Sequence, residues 1–144
     1  MFRYKRKKLN NMINGKELMI GDYVDVSGHG NPIELGIVKE IYDGGNEMDI
    51  TIKDCIIKNC DVIFAENEIS PIKLTEEFFL KNGFKELCRT EYSTRLYNSD
   101  LYLRVKITSE NRFTCNNIGV NYVHEFQHYL RLVNLSDYAN NLKI

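Results

Sequence analysis

The sequence predicts an α+β fold: a small N-terminal SH3-like barrel or bent antiparallel sheet, a short helix, then an antiparallel three-stranded sheet packed on a C-terminal helix. Three observations predict it. Residues 17–66 hold four or five short β-rich runs separated by turn residues. Residues 69–84 carry a full set of helix start and stop signals. Residues 121–135 repeat apolar side chains at helical spacing, after three further strand-like runs.

Leu18, Ile20, Tyr23, Val24 and Val26 mark the first strand, with a bend at Gly21-Asp22. Ser27 to Pro32 is dense in chain breakers and reads as a loop. Leu35, Ile37, Val38, Ile41 and Tyr42 make a second strand that ends at Asp43-Gly44-Gly45-Asn46. Met48, Ile50 and Ile52 alternate as a half-buried strand should, and Ile56-Ile57 and Val62-Ile63-Phe64 supply one or two more. Pro71 closes this region. Thr75 is placed to cap a helix over about 75–82, because Glu76 and Glu77 then sit in its electropositive first turn. Gly83 falls at the left-handed stop position, with Phe84 set to pack back onto Phe79. Tyr92 to Tyr97, Leu101 to Thr108 and Arg112 to Asn116 read as antiparallel strands. The final helix spans about Asn121 to Leu135. The organisation expected is an arm at 1–16, a β subdomain at 17–70 and an α+β subdomain at 71–144, or one continuous domain from 17 to 144.

Composition narrows the function classes. A chain of 144 residues, 43% hydrophobic and with 16 aromatics, can bury a real core in one domain or two very small ones. Its apolar runs are too short for a membrane-spanning helix, and the basic start lacks the apolar stretch of a secretory signal. Cys55, Cys60, Cys88 and Cys115 contain no C-x-x-C pair and read as buried or half-buried free thiols; a zinc site built from all four is the other option. The net charge of −1 hides a split. Residues 1–10 carry five cations and no acid, so residues 11–144 carry −6, with 14 basic against 20 acidic side chains. A basic arm leads an acidic body.

Three segments carry a resemblance: E-L-M-I-G-D-Y-V at 17–24, I-S-P-I-K-L-T-E-E-F-F-L-K-N-G-F at 69–84, and Y-V-H-E-F-Q-H-Y-L at 122–130. Together they resemble a family of small uncharacterised proteins found in phages and mobile elements of gut anaerobic bacteria. The resemblance covers about 12–135 and is most specific in its central segment. It implies a genomic context and a fold class, with no assigned reaction. A product of that context would work in the cytoplasm of the bacterial host or in the virion. The end of the chain departs from the pattern, with Val133-Asn134-Leu135 where the family has a Leu-Thr-Gly helix stop.

One string names a chemistry outright. His124-Glu125-Phe126-Gln127-His128 reads H-E-x-x-H, which on a helix sets two imidazoles one turn apart to hold zinc while the glutamate takes a proton from metal-bound water. The resemblance implies no such site, since the family has a histidine at 124 but neither the glutamate nor the second histidine. On a helical projection Tyr122, Phe126, Tyr129, Leu130 and Val133 share one face, and His124 and His128 fall on roughly the opposite face, toward solvent or the helix edge. The downstream ligands of the known H-E-x-x-H enzymes are missing: positions 131 and 134 hold Arg and Asn, and no glutamate follows 125. A third ligand would have to be His29, an upstream acid or Asp137. The reading preferred is therefore a non-catalytic protein that binds another macromolecule, with no metal and no cofactor. A small zinc hydrolase built on His124, Glu125 and His128 stands as the alternative. Phosphate-loop and nucleophile-elbow motifs are absent from the sequence. Arg89, Arg95, Arg104, Lys106 and Arg112, interleaved with Tyr92, Tyr97, Tyr102 and Phe113, suit either a nucleic-acid face or the ordinary alternation of a half-solvated sheet, and alternation is preferred.

Nucleic acid could also be met by the arm, and salt decides that. With an acidic body behind five cations, binding at low salt should be weak, non-specific and gone near physiological ionic strength. A gel-shift series across salt checks it. Retained binding at physiological salt that is lost on deleting residues 1–11 would make nucleic acid the leading partner.

Overall fold

A computed structural model describes residues 13–28, 32–55, 60–95, 102–108, 110 and 112–144. The chain divides into two compact units, Met1–Ile72 and Lys73–Ile144.

The first unit is one antiparallel sheet of five strands: β1 (Tyr23–Asp25), β2 (Leu35–Asp43), β3 (Met48–Cys55), β4 (Cys60–Ala65) and β5 (Ser70–Pro71), in the order β4-β3-β2-β1-β5. A four-strand meander whose fifth strand returns beside the first is the order expected of an SH3-like fold. Among the described residues β4 and β5 do not pair, so the sheet is open rather than a closed barrel. Register shifts between Val38 and Glu40 in β2, and between Ile52 and Cys55 in β3, bend it. Alternation sets its inner face: Val38, Ile50 and Ile52 pack with Val24, Val26 and Ile69, with Ile13 and Leu18 added from before β1. The expected first strand is thus much shorter than its apolar residues suggested. Leu18 is core, but Met19 and Ile20 are exposed at the turn that precedes β1. Ile13 and Gly15 are also buried, so the ordered unit starts inside the expected arm. Ile56-Ile57, and residues 29–31 of the expected loop from Ser27 to Pro32, lie outside the described residues.

Carboxylates knit this unit's loops. Buried Asp25 accepts from the Ser27 and Glu34 N–H groups at 2.9 and 3.1 Å, closing the β1–β2 connection. Glu66 accepts from Gly15 N–H at 2.8 Å and Met48 N–H at 3.2 Å. A carboxylate that takes two backbone donors satisfies groups that would be costly to bury unpaired.

The second unit opens with α1 (Glu76–Lys81). Thr75 Oγ1 caps it by accepting from Phe78 N–H at 3.2 Å. Gly83, at φ 83°, stops it: Phe84 N–H donates to Phe79 C=O and Gly83 N–H to Leu80 C=O, and the Phe84 ring meets Phe79 at 5.2 Å. A five-stranded antiparallel meander follows: β6 (Lys85–Cys88), β7 (Glu91–Arg95), β8 (Tyr102–Ile107), β9 (Phe113–Cys115) and β10 (Ile118–Val120). The three expected strands are β7, β8 and β9, and β6 and β10 extend the sheet on either side. Then come α2 (Val123–Leu132) and a short α3 (Ser136–Ala139). Residues 98–100, between the first two expected strands, and residues 109 and 111, between the second and third, lie outside the described residues.

Phe79 centres this unit's core. Its ring lies 5.0 to 5.4 Å from those of Phe78, Phe84, Phe113 and Phe126, joining α1, β9 and α2. Asn82, just past α1, holds the end of the chain through paired amide contacts with the Lys143 backbone at 2.7 and 2.8 Å. Phe79→Ala should lower the stability of this unit by about 3–5 kcal/mol, and Thr75→Ala by about 1 kcal/mol. Urea unfolding followed at a Lys73–Ile144 signal checks both.

Candidate functional site

The H-E-x-x-H helix is wrapped more fully than its apolar pattern indicates. Val123, His124, Phe126, Gln127, Tyr129 and Leu130 are all buried. A second covering element contributes: α3 lies against α2, and Gln127 Nε2 donates to Ala139 C=O at 3.1 Å. Polar residues opposite the sheet are therefore interior as well.

That corrects the expected placement of His124, which is 3% exposed rather than turned to solvent. Its ring stacks on Tyr122 at 5.8 Å and 11°, and meets His128 edge-on at 5.8 Å. His128 is half-buried. Val133, expected on the core face, is exposed instead, at the C-cap of α2. Glu125 is engaged at the helix start, where its Oε1 accepts from Asn121 N–H at 3.3 Å, a reach-back contact of the capping type. His124 is thus buried, while Glu125 and His128 line a groove, with the His128 ring still edge-on to that of His124. Among the described residues no three His, Cys, Asp or Glu side chains come together at a spacing that could hold a metal ion.

The groove lies between α2 and β10. Ile118, Gly119 and Val120 form one wall, and Glu125, His128, Tyr129 and Leu132 the other, around about 360 Å³. Ile118 is 46% exposed and Leu132 73% exposed, so its rim is apolar and open. β10 ends the sheet order, and Lys73-Leu74 covers only its continuation at Asn121-Tyr122. Tyr129 is held from behind this wall: Asn116, at φ 48°, donates from Nδ2 to its hydroxyl at 2.8 Å.

Sequence reasoning passed over this groove, although one signal was present. Asn116-Asn117 sits between Cys115 and Ile118, and both residues take positive φ (48° and 65°), which asparagine tolerates in a two-residue hairpin turn. Leu132 carried no such signal, because an isolated leucine on a helix gives no hint of exposure.

The interleaved cations separate as alternation requires. Leu103 and Val105 are buried, and Arg104 and Lys106 are exposed on the opposite face. Phe113, considered as a stacking aromatic, is 7% exposed and belongs to the core. The charge split is also sharper by unit. Residues 13–72 hold four basic side chains against twelve acids, a net of −8, and residues 73–144 hold ten against eight, a net of +2. Of the cysteines, Cys115 is fully buried, while Cys60 and Cys88 are exposed, contrary to the expected burial. No helix among the described residues is long and apolar enough to cross a membrane.

No family model, curated protein or solved structure matches this chain.

Burial pushes the Cys115 thiol up to about 12 from an ordinary 9.0. Tyr129 is raised by burial and then by the neighbouring Cys115, and Tyr138 by burial. In each case the folded state holds its proton where the unfolded chain would release it. Stability is thus complete below about pH 9 and declines as pH climbs toward the folded values. The urea midpoint should fall steadily between about pH 9 and 11, and Cys115→Ala should flatten that fall. A midpoint constant across this range would exclude the burial assigned to these groups.

Proposed function

We propose that this chain is a non-catalytic accessory protein of a phage or mobile element that acts by binding another macromolecule, in the first place a protein. The observation that carries this reading is the groove beside β10. An edge strand presents unpaired backbone groups, and an extended segment laid along it gains main-chain hydrogen bonds while alternate side chains enter the groove. Ile118 and Leu132 offer apolar anchoring at its rim. The resemblance to small phage and mobile-element proteins supports the context. A virion adaptor or an effector directed at a host protein would both use such a surface, in the virion or in the bacterial cytoplasm respectively.

The competing zinc-hydrolase reading has one observation in its favour, the 5.8 Å approach of the His124 and His128 rings. Against it stand the burial of His124 and the engagement of Glu125 at the helix start, which occupy the ligand and the base in structural work.

Affinity capture from infected cells with the full chain tests the binding reading. Ile118→Lys and Leu132→Lys should each weaken capture of a specific partner roughly tenfold, as loss of an interface anchor does, with stability changed by no more than about 0.5 kcal/mol. Undiminished capture by both variants would remove the groove from the account. Proteomics of purified particles then separates adaptor from effector.

A further inference from the structure

We propose that the pocket at the β9–β10 turn binds a phosphate group carried by a small ligand. This site is separate from the groove and does not depend on its role. Arg104 and Lys106 stand two residues apart on the solvated face of β8, and Thr114 lies directly across from Lys106 on β9. These three, with Asn116 and Asn117 of the turn, enclose about 220 Å³. Every lining side chain can donate hydrogen bonds, and none is a carboxylate. Glu91 reaches Lys106 at 3.5 Å, but among the described residues no acid pairs with Arg104.

Such a surface favours a compact, multiply charged oxyanion. The planar guanidinium presents two parallel N–H donors that match two phosphate oxygens, and the ammonium adds a second charge from the neighbouring position. The geometry is held in advance. β8 and β9 are hydrogen-bonded, and the turn is tied to α2 through the contact of Asn116 with the Tyr129 hydroxyl. A pocket of about 220 Å³ matches a single phosphate, and Phe113, one of the aromatics interleaved with these cations, is turned into the core and cannot stack a base.

Amide-resolved NMR of the full chain tests this, with titration by inorganic phosphate against sodium chloride at matched ionic strength. Phosphate should produce saturable shifts at Thr114, Asn116 and Asn117 that chloride does not. Arg104→Gln should weaken that binding about tenfold, the loss of one charge-assisted contact, without altering the remaining spectrum. A second arm uses an oligothymidylate of eight nucleotides. Oligonucleotide binding no tighter than phosphate supports the small-ligand assignment, and binding about a hundredfold tighter with shifts along all of β8 overturns it in favour of nucleic acid. Shifts equal to those from chloride, or full-strength phosphate binding in the Arg104→Gln/Lys106→Gln double variant, overturn the site itself.

Discussion

The packing of Phe79 is the constraint on which the second unit depends. Its side chain is fully buried, and four other phenylalanine rings meet it at 5.0 to 5.4 Å from α1, the chain just beyond α1, β9 and α2. Edge-to-face rings add directional preference to the burial of large apolar surfaces. α2 is thereby fixed by Phe126 against α1 and the sheet, and the rotation of α2 about its own axis follows. That rotation decides which residues face inward and which line the groove. His124 is carried into the interior beside Tyr122, and Glu125, His128 and Leu132 are carried to the wall opposite β10. The candidate site is a consequence of core packing several residues away.

The same rotation gives each part of the H-E-x-x-H string an ordinary task. Glu125 accepts from the Asn121 N–H, the backbone donor just before the Tyr122 N-cap of α2. His124 fills interior space between Tyr122 and His128, and Gln127 reaches a carbonyl of α3. The first unit uses its acids comparably, with Asp25 and Glu66 each holding two backbone N–H groups. Much of what looks like chemistry in this sequence is therefore backbone satisfaction.

How much of this was legible beforehand depended on whether the signal was local. The cap at Thr75 and the stop at Gly83-Phe84 were readable because capping chemistry is set within a few residues. β3 was readable from alternation, and β2 and β4 as β-rich runs between turn residues; with β1 and β5 they form the open five-stranded sheet. The apolar face of α2 was read correctly at Phe126, Tyr129 and Leu130, but the burial of His124 and Gln127 was missed because a hydrophobic projection assumes one covering surface, whereas α3 also packs on α2. Four residues are too few for a periodic signal, so α3 left no trace in the pattern. β6 was hidden for a different reason: all four of its residues are exposed, so no alternation marks it. The groove was illegible as a site because it depends on an edge strand and a helix wall brought together by tertiary packing.

On the function proposed, α2 is a packed wall of a binding groove and not a metal-binding helix. Elemental analysis of the full chain, purified without added metal, addresses it most directly, with His128→Ala as the comparison because that residue is only half-buried. No stoichiometric zinc is expected in either protein. About one zinc ion per chain, lost in His128→Ala, would contradict it.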